Sequence, residues 1–183
     1  YAQQLVSRYS NAVALWNIVS GLHVNDNLSF SFEQLMDLTR MIAMLTKKLQ
    51  PSGRTLIEIS QPFGEYYCTN QRSIPPIMYA EMLLQSGIPF DAFGLKLLMG
   101  ESQQGRFTRD LMQISGMLDR FSGLGKPLHI TAVAVPSKPP LTPVDPDVMR
   151  REPAAATPDG NSGYWRKPWS SLVQSHWLEA FYN

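Results

Sequence analysis

The chain has 183 residues, with 16 Lys and Arg against 15 Asp and Glu, a formal net charge of +1. That balance gives no electrostatic case for nucleic acid or for an anionic membrane surface, and no apolar run approaches the ~18 residues of a membrane span. One cysteine, Cys68, excludes an internal disulfide. The length suits one domain with a real core, but is short of the roughly 250 residues of a complete (β/α)8 barrel.

In chain order, the sequence opens in an apparent helix, YAQQLVSRYSNAV, with no Met, and closes in another, SLVQSHWLEAFYN. Both ends read as cut, so a secretory leader is neither visible nor excluded, and a secreted and a cytoplasmic location both stay open. Between them lie four apolar, β-branched-rich runs: Val13–Val19, Thr55–Ile59, Phe90–Leu98 and Leu128–Val135. They recur about every 35–42 residues with helical patterns between them, which reads as βα units feeding a parallel sheet.

The first of those helices has Ser31 as N-cap and Gln34 to complete a capping box. Leu35, Leu38, Ile42, Leu45 and Leu49 mark its expected apolar stripe, Lys47 and Lys48 suit its negative end, and Pro51-Ser52-Gly53 stops it. The second runs from Pro75-Pro76 to Gly87. The third runs from about Thr108 to Ser122, with Leu111, Ile114, Leu118 and Phe121 as its expected buried face. Short turns, Gly87-Ile88-Pro89 and Gly125-Lys126-Pro127, lead back into strands, as the bottom of a barrel needs. The stretch 136–163 holds 7 of the 14 prolines and reads as a long irregular loop on the carboxyl face, either part of a site or an insertion without function.

Specific runs resemble those of glycoside hydrolase family 10, the endo-1,4-β-xylanases. Arg8-Tyr9 followed by Trp16-Asn17-Ile18-Val19-Ser20-Gly21 is similar to the family's Arg-Tyr and Trp-Asp-Val-Val-Asn-Glu at its fourth strand. Gly87-Ile88-Pro89-Phe90-Asp91-Ala92-Phe93-Gly94-Leu95-Lys96-Leu97-Leu98 is similar to its sixth-strand run, and Leu124-Gly125-Lys126-Pro127-Leu128-His129-Ile130-Thr131-Ala132-Val133-Ala134 to its seventh, a Leu-Gly followed by Ile-Thr-Glu-Leu-Asp. The resemblance implies an α/β fold, a partial TIM (β/α)8 barrel of roughly strands four to seven, with residues 1–183 a fragment of one barrel domain.

The resemblance also implies a carbohydrate ligand, a β-linked polysaccharide such as xylan, but it breaks at the chemistry. The family's acid/base Glu falls on Gly21 and its nucleophile on Ala132. The Asn beside the acid/base falls on Ser20, and the Gln and His of the sugar site fall on Lys96 and Leu98. A retaining glycosidase needs two carboxyl groups about 5–5.5 Å apart, and neither Gly nor Ala supplies one. By the family mechanism the protein is expected to be impaired.

Glu65, in the aromatic loop before Tyr66 and Tyr67, is one substitute carboxylate, with pairing to Arg72 as the bland alternative. Glu58 is another, with pairing to Lys96 inside the barrel the alternative, since an unpaired buried carboxylate is costly. Trp16, Asn17, His23, Tyr66, Lys96, His129 and Trp165 are the candidate sugar-binding residues. His23 is expected to line the mouth above the first strand. Trp165 belongs to Gly163-Tyr164-Trp165-Arg166-Lys167-Pro168-Trp169, either a stacking wall or a rim plug. No second ligand stands at a metal-binding spacing from either His, and no phosphate loop or nucleophile elbow is present, so no cofactor and no metal are expected. The competing function is a protein-interaction scaffold using the Pro-rich loop, with no carbohydrate activity.

Overall fold

A computed structural model describes residues 1–26, 28–100, 107–137, 167 and 169–183. The elements are α1 (Ala2–Tyr9), β1 (Leu15–Ser20), α2 (Phe32–Leu49), β2 (Arg54–Ser60), α3 (Pro76–Gln85), β3 (Ala92–Leu98), α4 (Leu111–Ser122), β4 (Leu128–Ala134) and α5 (Ser171–Tyr182). All four strands anticipated from the β-branched runs form, within two residues at each end. They make one sheet in the order β1-β2-β3-β4, and β1 with β2 and β2 with β3 are parallel. Sequential order without a reversal is the winding of a barrel, not of a doubly wound sheet.

The chain packs as two compact units, Tyr1–Lys96 with Met117–Thr131, and Leu97–Gly116 with Ala132–Asn183. In the first, Ile57, Ile59, Phe93 and Leu95 are wholly buried. They occupy one face of β2 and β3, and Phe93 meets Phe121 of α4 edge-on at 6.5 Å between ring centroids. Strand alternation puts Leu56, Glu58 and Ser60 on the opposite face, beside Ala92, Gly94 and Lys96 of β3, their partners in register.

α2 starts as its sequence requires: Ser31 accepts from the Gln34 amide, and the Gln34 side chain takes the Ser31 amide at 2.8 Å. Its buried line differs from the leucine stripe. Leu35, Met36, Thr39, Ala43 and Thr46 are buried, while Leu38, Ile42, Leu45 and Leu49 are half-buried flanks. The two threonines accept burial because each hydroxyl donates to a carbonyl one turn back, Thr39 to Leu35 at 2.8 Å and Thr46 to Ile42 at 2.9 Å.

Lys47 does more than complement the helix dipole. Its Nζ donates to Asp91 Oδ2 at 2.7 Å and to Gly53 O at 2.9 Å. The same Asp91 oxygen receives the Thr55 amide at 2.7 Å. Partial burial raises the Asp91 pKa, but the Lys47 and Thr55 hydrogen bonds outweigh it and hold the carboxyl below its ordinary value.

α4 begins at Leu111, because Asp110 and Gln113 form a reciprocal cap, with the Gln113 amide donating to Asp110 Oδ1 at 2.7 Å. Ile114, Met117 and Phe121 are its buried residues, and Leu111 and Leu118 are half-buried. In the second unit, Ser170 caps α5 through the Val173 amide. Trp169 and Trp177 are enclosed there, and Trp177 stacks on Phe181 at 5.3 Å. Almost all of the proline-rich stretch 136–163 lies outside the described residues, as does Trp165.

Candidate functional site at the carboxyl ends of the strands

Glu58 is the centre of the arrangement. It stands in the middle of β2 with 5% of its surface exposed. Ser20 Oγ donates to Oε1, Asn17 Nδ2 donates to Oε2 at 3.2 Å, and Lys96 Nζ lies 3.9 Å from Oε1. Two hydrogen-bond donors and one nearby cation converge on the acid, which is how a carboxylate is kept in a buried position. Asn17 and Ser20 themselves are exposed and Lys96 is half-buried, so a polar, accessible surface covers a buried acid.

Asn17 and Ser20 are three residues apart and would face opposite sides of a regular strand. They reach one carboxylate because β1 is irregular. Asn17 pairs with Leu56 and Val19 with Ile57, leaving Ile18 as an extra residue between them. Such a bulge re-aims the side chains beyond it, and here it turns Ser20 onto Glu58.

Gly21 ends the strand with φ +62° and donates its amide to Glu58 O at 3.0 Å. A Cβ at this position would lie 2.6 Å from Ser60 Oγ. The left-handed conformation suits glycine, and any Cβ here would also require the Ser60 hydroxyl to move. Gly94, opposite Glu58 in register, is equally tight: a Cβ would come within 2.8 Å of both Leu56 Cδ1 and Thr131 Cγ2. Thr131 is exposed beside it, and its hydroxyl donates to Leu95 O at 3.3 Å. Ala132 follows in β4 and carries no functional group.

Three of the expected sugar-binding residues are placed elsewhere. Trp16 sits in the amino-terminal half of β1, paired with Thr55, and its Nε1 donates to Gln50 Oε1 at 2.7 Å. Gln50 in turn holds Ser10 O and Val13 O at 2.8 and 2.9 Å. Trp16 thus ties the start of β1 to the end of α2, away from the mouth. His23 is corrected from a mouth residue to a buried one, with 0% exposure. Its ring stacks on Tyr79 at 5.2 Å and meets Tyr66 edge-on at 5.6 Å. His23 Nε2 lies 2.9 Å from Ser60 O, so it must carry the proton, which leaves Nδ1 bare and without a partner. Burial drives the His23 pKa down to about 4 against the small upward pull of Ser60 O. Tyr66 is buried too, its hydroxyl donating to Ile74 O at 2.6 Å.

Glu65 opens a 3-10 turn, Glu65–Cys68, after Gly64, is half-buried and is engaged in an interaction within the fold. Tyr67 beside it is 46% exposed. His129 is half-buried in β4. Among the described residues no three His, Cys, Asp or Glu side chains gather where a metal ion would be held, and no helix is long and apolar enough to cross a membrane.

One group of polar residues was not anticipated. Asn25, Asp26 and Ser29 after β1 and Thr69, Asn70, Gln71 and Arg72 after β2 line an open pocket of about 540 Å³. Its only sequence signal is two polar clusters, each a few residues beyond a strand, and nothing local says that they meet.

No protein-family model matches the chain, and no curated protein is similar to it. Solved structures are similar. Native xylanase 10B from Thermotoga maritima has a TM-score of 0.53 at 16% identity, over 82% of this chain and 44% of that one. The Thermobacillus composti GH10 xylanase has a TM-score of 0.52 at 12% identity, over 82% and 45%. The GH10 protein of Paenibacillus barcinonensis has a TM-score of 0.50 at 19% identity, over 81% and 45%. The chain therefore has an α/β fold, a parallel four-stranded sheet with helices that corresponds to part of a family 10 TIM barrel. It spans less than half the length of these xylanases.

Proposed function

We propose that the chain is part of a glycoside-hydrolase-family-10-like barrel that binds a β-linked polysaccharide such as xylan at the carboxyl ends of its strands and does not cut it by the family's two-carboxylate route. The observation that carries this reading is the pairing of an accessible polar surface, Asn17, Ser20, Lys96 and Thr131, with a strand end where Gly21 brings no carboxylate and holds a left-handed backbone that strains other residues. Asn, Ser, Thr and Lys side chains are donors and acceptors suited to sugar hydroxyls. Ala132 has no carboxylate to offer as nucleophile. Glu58 is a single acid, buried, with both oxygens already engaged.

The test is made on the complete gene product, with reducing-sugar release from xylan and other β-glycans measured beside binding to the same polysaccharides. The expected result is saturable binding with no release above background. Release by the wild type would overturn the non-cutting reading, and Glu58→Gln and Glu65→Gln would then show which carboxylate had taken the work. No binding to any glycan would overturn the carbohydrate reading altogether. Capture of a protein partner that is lost on deleting Pro139–Asn161 would replace it with the scaffold reading.

A further inference from the structure

We propose that the 3-10 turn Leu22–Val24 after β1 is an acid-released latch: a proton taken up by His23 drives its ring out of the cage of Tyr66 and Tyr79, and the turn swings off the loop after β2 while the sheet stays folded. The latch is independent of what the strand-end surface binds.

Three hydrogen bonds fasten the turn, all to the end of β2 or the loop that follows it. His23 is wholly buried, with Nε2 donating to Ser60 O at 2.9 Å. The His23 carbonyl accepts from Ile74 N at 2.9 Å, and the next carbonyl, Val24 O, from Asn70 Nδ2 at 2.8 Å. The turn is bracketed by Gly21 and Asn25, both left-handed, with φ +62° and +55°. Each is anchored by bonds of its own. The Gly21 amide donates to Glu58 O at 3.0 Å, and Asn25 Nδ2 donates to Phe30 O at 2.8 Å and to Arg72 O at 3.1 Å. Two fixed pivots around a three-residue turn make a hinge, since a few element-terminal residues can absorb the change of φ and ψ.

The closed turn has no place for a second proton. His23 Nδ1 has no partner, so protonation would leave an unpaired donor on a buried cation, which a protein interior strongly disfavours. Among the described residues the titratable groups against the ring are Tyr66 and Tyr79. Burial raises the pKa of both, that of Tyr79 to about 12, so both stay neutral. The Tyr66 hydroxyl is spent on Ile74 O, and that of Tyr79 is shared with Thr39 of α2. The charged groups on the surrounding elements are otherwise committed. Asp26 is exposed and accepts from Asn70 Nδ2 at 3.2 Å, Glu65 is engaged within the fold, and both oxygens of Glu58 are taken. Arg72, exposed on the loop after β2, adds a positive charge. Burial lowers the His23 pKa from 6.5 to about 4 against the upward pull of Ser60 O, and the open turn restores it to 6.5. Closure is therefore fully favoured above pH 6.5 and weakens as pH falls toward 4.

The test is native-state hydrogen exchange on the complete gene product at pH 7 and pH 5 in rising low urea, read at the Ile74 amide, whose acceptor is His23 O. After correction for the intrinsic pH dependence of exchange, Ile74 is expected to lose about twentyfold in protection at pH 5, the factor that the closed and open pKa values imply. Low urea should leave its rate unchanged, because a local opening exposes little surface. A rate that climbs with urea as steeply as those of the β2 amides would mean that only global unfolding frees the turn, and would overturn the proposal, as would the absence of an acid step. His23→Gln is expected to abolish the acid step, and a folded variant that keeps it would count equally against the latch. If that variant does not fold, Asn70→Ala serves, since it removes the hold on Val24 O without touching the ring. Exchange at Ile74 should then be faster at both pH values with the acid step kept, and an unchanged rate would overturn the latch.

Discussion

Two buried titratable side chains lie near the same end of the sheet, and they are kept there in opposite ways. Glu58 is surrounded by donors on both oxygens, from Asn17, Ser20 and Lys96. His23 has one nitrogen on Ser60 O and the other on nothing, and is held mainly by the rings of Tyr66 and Tyr79. Polar partners stabilise Glu58, whereas packing stabilises His23 and keeps it neutral. A buried acid beneath exposed polar residues belongs to a surface that a ligand can reach. A buried imidazole inside an aromatic cage belongs to the core.

The sharpest way to break this comparison is Glu58→Ala. It removes the acceptor that Asn17 and Ser20 share and the charge beside Lys96, and leaves a gap on a buried face, so the expected loss is about 3 kcal/mol of stability in urea denaturation of the protein. Glu58→Gln keeps the shape and is expected to cost about half as much. An alanine variant as stable as wild type would mean that the donors do not hold Glu58 in solution.

Acid should break the other side. The His23 pKa is depressed from 6.5 to about 4, so between those values the unfolded state binds the extra proton and the folded state does not. Its contribution is fully present above pH 6.5 and is lost as pH falls toward 4, on the order of 3 kcal/mol. Asp91, also depressed, loses its contribution only below its ordinary carboxyl range, so the two windows separate. Urea titrations at pH 7, 5.5 and 4.5 should show the fall, and His23→Gln should flatten it. An unchanged slope in that variant would remove His23 as the cause.

The smallest effect concerns Gly21. Gly21→Ala adds a methyl group where φ is +62° and Ser60 Oγ would be 2.6 Å away, and is expected to cost about 2 kcal/mol. Ser60→Gly in the same chain should recover part of it, since the steric share disappears and the conformational share stays. Full recovery would mean that the left-handed backbone carries no strain.

Much of the scaffold was legible in the residues. The four β-branched runs, the Ser31 and Gln34 cap and the turn glycines are local signals, and each formed where it was expected. Which face of α2 is buried was not legible, because Thr39 and Thr46 look polar until their hydroxyls are seen on Leu35 O and Ile42 O. Of the site, Glu58 beside Lys96 followed from neighbouring strands. The addition of Ser20 did not, since it depends on one extra residue in β1. His23 and Tyr66 both follow strand ends, a position that does not distinguish a side chain lining a cleft from one folded beneath it.

By itself the sequence determined the alternation of strands and helices, the capping box that starts α2, and the absence of carboxylates at Gly21 and Ala132, all of which depend on residue type and near neighbours. The tertiary structure alone decided that Asn17 and Ser20 share Glu58, that His23 is caged, and that Asn25 and Asn70 close a pocket across 45 residues of chain. Those outcomes rest on strand register, a bulge and loop-to-loop hydrogen bonds, which join residues whose separation along the chain carries no periodic signal.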